Sequence, residues 1–161
     1  MTRSSTSLLS PNPSLSLSAA QVALTACLSH ASDLGIPVNI SIYSSSLHLL
    51  AFARMDTAKL TSIDIAHNKA FTAAGHRAPT DTYTKERVGE GGPLFGVGNS
   101  NAGRFTMISG GVPVEVDGVC VGAIGVSGGL PSEDKEIALK GVEAILAAFK
   151  KQGRTAVKAK L

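Results

Sequence analysis

Tryptophan is absent, aromatics make up only 4% of the 161 residues, and there are just two cysteines. With so few large rings, the core must be built from Val, Ile, Leu and Ala. Cys27 and Cys120 form no Cys-x-x-Cys pair. Each sits in an apolar context, so both read as buried free thiols in a reducing compartment. No His-x-x-x-His pair and no cysteine cluster offers a zinc set. No apolar run is long enough to span a bilayer. The Ser/Thr-rich start lacks the apolar segment of a secretory signal.

Acidic residues are missing from the last twelve positions, which hold Lys150, Lys151, Arg154, Lys158 and Lys160. The formal charge of +3 therefore belongs to a tail, and residues 1–149 carry ten bases against twelve acids. That body shows no cluster of Lys/Arg interleaved with aromatics, which argues against a nucleic-acid partner.

What is present centres on Gly110–Gly129. Val112, Val114 and Val116 alternate with Pro113 and Glu115, and Val119, Val121 and Ala123 follow Asp117-Gly118. That dipeptide suits the positive φ of a two-residue primed turn, so the stretch predicts a β-hairpin. The second strand, running on to Val126, is almost wholly apolar and should be buried on both faces. Ser127-Gly128-Gly129 then feeds a helix. Such a turn leaves N–H groups at a positive dipole end, a setting for an anion. It is also ordinary structural punctuation.

Residues 1–16 are rich in Ser, Thr and Pro and predict a disordered arm. Ser18 caps a first helix, with Gln21 completing a capping box. Ala20, Ala23, Leu24, Cys27, Leu28 and Ala31 form its buried stripe, and Gly35 ends it. Val38, Ile40 and Ile42 alternate with polar residues, as in a half-buried strand. Leu47–Ala53 should pair with it across Ser44-Ser45-Ser46. A second, alanine-rich helix runs from about Ile63 to Ala74, capped by Thr61 or Ser62 and stopped by Gly75. Thr80–Arg87 suggests a short third helix. The six glycines between Gly89 and Gly103 mark a long loop, usually functional or mobile at that length. Arg104–Ile108 should be a strand, and a last helix follows Pro131-Ser132 with Ala138, Gly141, Val142, Ile145, Leu146 and Phe149 on its apolar face. The fold class is α+β: an antiparallel sheet of about five strands flanked by helices. The domain spans residues 17–150, with a basic flexible tail at 151–161.

Three signatures resemble one family: Arg54-Met55-Asp56, the Asp-x-Ala-x-x-Lys-Ala of Asp64–Ala70, and Gly122–Gly129. The chain resembles, over roughly residues 15–150, the haem-degrading, extracellular haem-binding and glycolate-operon-associated small proteins. It is also similar to the C-terminal domain of some corrinoid adenosyltransferases. The resemblance implies a profilin-like α/β/α sandwich that assembles into dimers or octamers. It also implies haem or a related tetrapyrrole as the cofactor of some members.

Chemistry-bearing residues gather around the second helix. Asp64 and His67 lie at i, i+3 on one face. Arg54 and Asp56 follow the preceding strand, and Lys69 is on the same helix. Imidazole can ligate iron or move protons near neutral pH, which makes His67 or His48 the candidate haem-iron ligand. Arg54, Lys69 or Arg104 can pair with a propionate, and Ser127, Gly128 and Gly129 can meet an anion. Equally, Asp64 can serve the helix start, Arg54 a nearby acid, and His67 the surface. The leading expectation is an oligomeric binding protein for haem or a similar planar anionic cofactor. One alternative is a cofactor-free enzyme on a carboxylate metabolite, with Asp64 and His67 as proton carriers and Arg54 as anchor. Another is an accessory subunit. Finally, Ala159-Lys160-Leu161 is a close variant of the Ser-Lys-Leu peroxisomal signal. It predicts a eukaryotic, peroxisomal protein met by the import receptor.

Overall fold

A computed structural model describes residues 10–158. The core of the molecule is a four-stranded antiparallel sheet in the order β2-β1-β4-β3. The strands are β1 (Asn39–Ser44), β2 (Leu49–Arg54), β3 (Gly111–Val116) and β4 (Val119–Ser127). Helices α1 (Leu17–Leu34) and α4 (Pro131–Lys158) cover one face, and α2 (Ser62–His76) covers the other. A single turn, α3 (Lys85–Val88), begins the long loop. Among the described residues no helix is long and apolar enough to cross a membrane.

The β3–β4 hairpin forms as expected, with Asp117 at φ 51° and Gly118 at φ 76° in the primed turn. β4 is buried from Cys120 to Ser127. β1 is not half-buried. All six of its residues are buried, because it lies between β2 and β4 with helices on both faces. Val38, Ile40 and Ile42 meet α1 and α4, while Tyr43 meets α2.

Arg104–Ile108 is not a strand, so the sheet has four strands and not five. Two of its backbone groups are satisfied by a side chain of α2. The Thr72 hydroxyl donates to the Arg104 carbonyl at 3.4 Å and accepts from the Thr106 amide at 3.0 Å. The first helix is capped by Ser16, whose hydroxyl accepts from the Ala19 amide, and not by Ser18. Gly75 does not stop α2, which ends past His76 with Arg77 left-handed at φ 54°. Phe149, expected on the buried face of α4, is 40% exposed, and Ile137 takes a core place instead.

The described end of the arm is anchored to the sheet at Leu15. Leu15 is buried, its amide donates to the Val121 carbonyl at 2.8 Å, and its side chain fills the space over Gly122. At the other end α4 continues through Lys158, where a flexible stretch was expected. Residues 150–158 contain no proline, and only Gly153 interrupts residues that tolerate a helix. The rest of the arm, and Ala159, Lys160 and Leu161, lie outside the described residues. Cys27 and Cys120 are both buried and free. Burial pushes the Cys27 thiol up to about 12, which leaves it inert.

Candidate functional site

Helix α2 lies unusually close to the sheet. A Cβ on Gly125 would stand 2.5 Å from the Ala70 amide nitrogen. Ala66, Ala70, Ala73 and Ala74 are buried beneath it. The larger side chains of α2 are therefore displaced to its flanks, where they meet the strands and the long loop.

On the flank facing β1 and β2, His67 hydrogen-bonds the Ser41 hydroxyl through Nδ1 at 2.8 Å. Its ring stacks on Phe52, with centroids 4.8 Å apart, and meets Tyr43 edge-on at 6.0 Å. Burial lowers its pKa from the usual histidine value. Asp64 opposes that shift through space and Arg104 adds to it, leaving a neutral imidazole at pH 7. The Arg104 guanidinium lies over Phe71 at 3.9 Å and donates to the Tyr43 hydroxyl at 3.3 Å. No carboxylate among the described residues pairs with it.

On the other flank His76 is bonded through Nδ1 to the Tyr83 hydroxyl and packed edge-on against Phe105 at 5.1 Å. α2 and the glycine-rich loop flank a half-open cavity of ≈ 240 Å³. It is lined by Leu47, Phe71, His76, Val97, Asn101 and Phe105 among others. Asn101 and Ala102 both hold positive φ, at 54° and 56°, where the loop passes the cavity.

The structure thus unites His67, Arg104 and, at a distance, the exposed Asp64. The other expected members are elsewhere. Lys69 is 1% exposed and donates to Asp134 at 2.8 Å and to the Val126 carbonyl at 2.8 Å. It ties α2 to the start of α4 and is closed to a ligand. Arg54 is exposed and binds the Ala58 carbonyl at 3.3 Å, pinning the loop after β2. His48 is exposed in the turn before β2. Nor does the Ser127-Gly128-Gly129 turn receive an anion. The Gly129 amide donates to Asp134 at 2.9 Å and the Leu130 amide to Glu133 at 2.7 Å, so the helix's own acids occupy its N-terminus.

Three further sequence patterns bear on the site. Gly125-Val126-Ser127-Gly128-Gly129 has the Gly-x-Ser-x-Gly spacing of a nucleophile elbow, but Ser127 is 4% exposed and no imidazole hydrogen-bonds it. Glu133 and Glu136 stand three apart, as paired helical carboxylates do. They are engaged by the Leu130 amide and by His30 at 2.7 Å, and no metal cluster forms among the described residues. His76 at the end of an alanine-rich helix was the third, and it is the histidine that lines the cavity.

A family model described as "Haem degrading protein HbpS-like" matches residues 15–143. The chain is 36% identical over 124 residues to an uncharacterised 15.0 kDa protein of Citrobacter freundii encoded between dhaT and dhaS. The match covers 77% of this chain and 87% of that one. It is 31% identical over 135 residues to the corrinoid adenosyltransferase PduO of the same organism, and spans only 40% of that protein's length. Among solved structures, Klebsiella pneumoniae ORFY superposes with a TM-score of 0.85 at 30% identity, over 88% of this chain and 97% of its own. The PduOC:heme complex superposes with a TM-score of 0.77 at 29% identity, over 81% and 94%. These relatives come from bacteria, which have no peroxisomes. That overturns the peroxisomal, eukaryotic reading of the last three residues.

Proposed function

Because this chain belongs to the HbpS-like haem-degrading family, we propose that it binds haem or a similar planar anionic tetrapyrrole beside α2. The observation that carries this reading is where the scarce rings go. Five of the seven aromatics, Tyr43, Phe52, Phe71, Tyr83 and Phe105, lie on the α2 side in contact with His67, His76 or Arg104. Apolar rings flanked by imidazole and a guanidinium with no carboxylate partner among the described residues match a flat apolar ligand with carboxylate arms.

The donor set fits the group and the volume fits part of it. A cavity of ≈ 240 Å³ is smaller than the ~300–1,000 Å³ that encloses a whole drug-sized ligand, so one protomer grips one edge of the ring. The oligomeric assembly implied by the resemblance would cover the rest. His67, one turn before Phe71 on α2, and the exposed His48 are the proposed iron ligands. When bound, the haem would supply redox and ligand-binding chemistry at its iron. In support, a homologous domain has been solved as a haem complex. The acid–base alternative has less behind it. Arg54 is spent on the Ala58 carbonyl, and Asp64 reaches His67 only through space.

The test is a hemin titration followed at the Soret band, with His48→Ala, His67→Ala and His76→Ala beside the wild type. A saturable shift in the wild type that one or more of the variants weakens supports the reading. Absence of a saturable shift in the wild type sinks it.

A further inference from the structure

His76 is the imidazole that lines the cavity, and its hydrogen bond decides what it offers there. Tyr83 is 6% exposed, and its hydroxyl has one partner among the described residues, Nδ1 of His76. A buried phenol proton without an acceptor is costly. The hydroxyl therefore donates, Nδ1 accepts, and the proton of the neutral ring sits on Nε2. Burial also raises the Tyr83 pKa, which keeps the phenol a donor. Nε2, the nitrogen turned away from Tyr83, has no protein partner among the described residues.

A protonated nitrogen cannot ligate a metal, but it can donate to an anion. The second donor, Arg104, stands outside the cavity lining but adjoins two of its walls. Arg104 precedes Phe105, which touches the His76 ring at 5.1 Å, and its guanidinium covers Phe71, another wall of the cavity. This half-buried cation carries no counter-ion among the described residues.

We infer that the cavity and its Phe71 edge form a carboxylate-reading site, where the Nε2–H of His76 inside and the guanidinium of Arg104 beside it receive a carboxylate arm of the ligand, and that His76 is not an iron ligand. Tyr83 is the positioning residue that sets this role. The inference rests on the tetrapyrrole reading and adds which edge of the ring enters the cavity. A pocket too small for a whole macrocycle is suited to that edge.

The experiment compares three probes on the full chain: hemin, metal-free protoporphyrin IX, and protoporphyrin IX dimethyl ester. Porphyrin emission is the readout for the last two. Charge-assisted hydrogen bonds to a carboxylate predict that the wild type binds the ester at least about tenfold more weakly than the acid. His76→Phe and Arg104→Gln should each weaken the acid by about the same factor and leave the ester nearly unchanged. In the ligand-free protein, the ¹⁵N shifts of His76 should report the Nε2–H tautomer, and Tyr83→Phe should remove that preference. An ester that binds as tightly as the acid overturns the inference alone. So does a His76→Phe variant impaired for hemin but not for protoporphyrin, or a wild-type Nδ1–H tautomer. No saturable binding of any porphyrin overturns the proposed function and this assignment with it.

Discussion

Lys69 and Asp134 show how burial reassigns a residue. In the sequence Lys69 is a cation beside a histidine in a family signature, and an anion-binding role follows naturally. In the fold it is sealed between α2 and α4, and its ammonium donates to Asp134 and to the Val126 carbonyl. Burial lowers its pKa, and the Asp134 carboxylate holds it up. Breaking such a pair strands a charge in the interior. Lys69→Met should therefore cost about 3–5 kcal/mol, read from urea denaturation. Lys69→Met/Asp134→Leu should recover a good part of that loss, since no charge then remains unpaired.

At the scale of elements, the Asp117-Gly118 hairpin was legible because its turn chemistry is local. So was the alanine-rich surface of α2. The glycine turn before α4 was legible as a turn but not as a site, because its donors are taken by acids three to five residues on. Arg104–Ile108 has strand-like residues, yet the hydroxyls of Thr72 and Thr80 bond its Arg104 and Ile108 carbonyls and its Thr106 amide in place of a neighbouring strand. The close approach of α2 to β4 depends on Gly125, whose missing side chain admits the backbone of Ala66 and Ala70. Gly125→Ala should push α2 off the sheet and lower stability by about 1–3 kcal/mol, measured as a shift in urea midpoint. It should also weaken hemin binding, because His67, Phe71 and His76 ride on that helix.

For the whole molecule, the sheet divides two chemistries. The α1/α4 side is an aliphatic core with Cys27 and the isoleucines. The α2 side gathers the rings, the two partnered histidines and Arg104, which has no carboxylate partner among the described residues. The loop over the cavity is built of short turns with exposed backbone, including Phe95 at 67% exposure. Segments of that kind open at low free-energy cost. Saturation with hemin should slow amide exchange in residues 94–105 and in the last turn of α2, and leave β1 and β4 unchanged. Equal protection everywhere would place the ligand elsewhere.

The sequence by itself determined the α+β class, the primed turn, the buried thiols and the family, because each depends on residues near one another in the chain. The tertiary structure decided which polar groups remain available. Lys69, Arg54 and the Ser127–Gly129 turn are consumed by partners up to 65 residues away, while His76 and Phe105 are brought to one cavity from positions 29 residues apart. A hydrogen bond or ion pair between distant residues leaves no local pattern. Only packing shows which donors are already satisfied and which still face outward to a ligand.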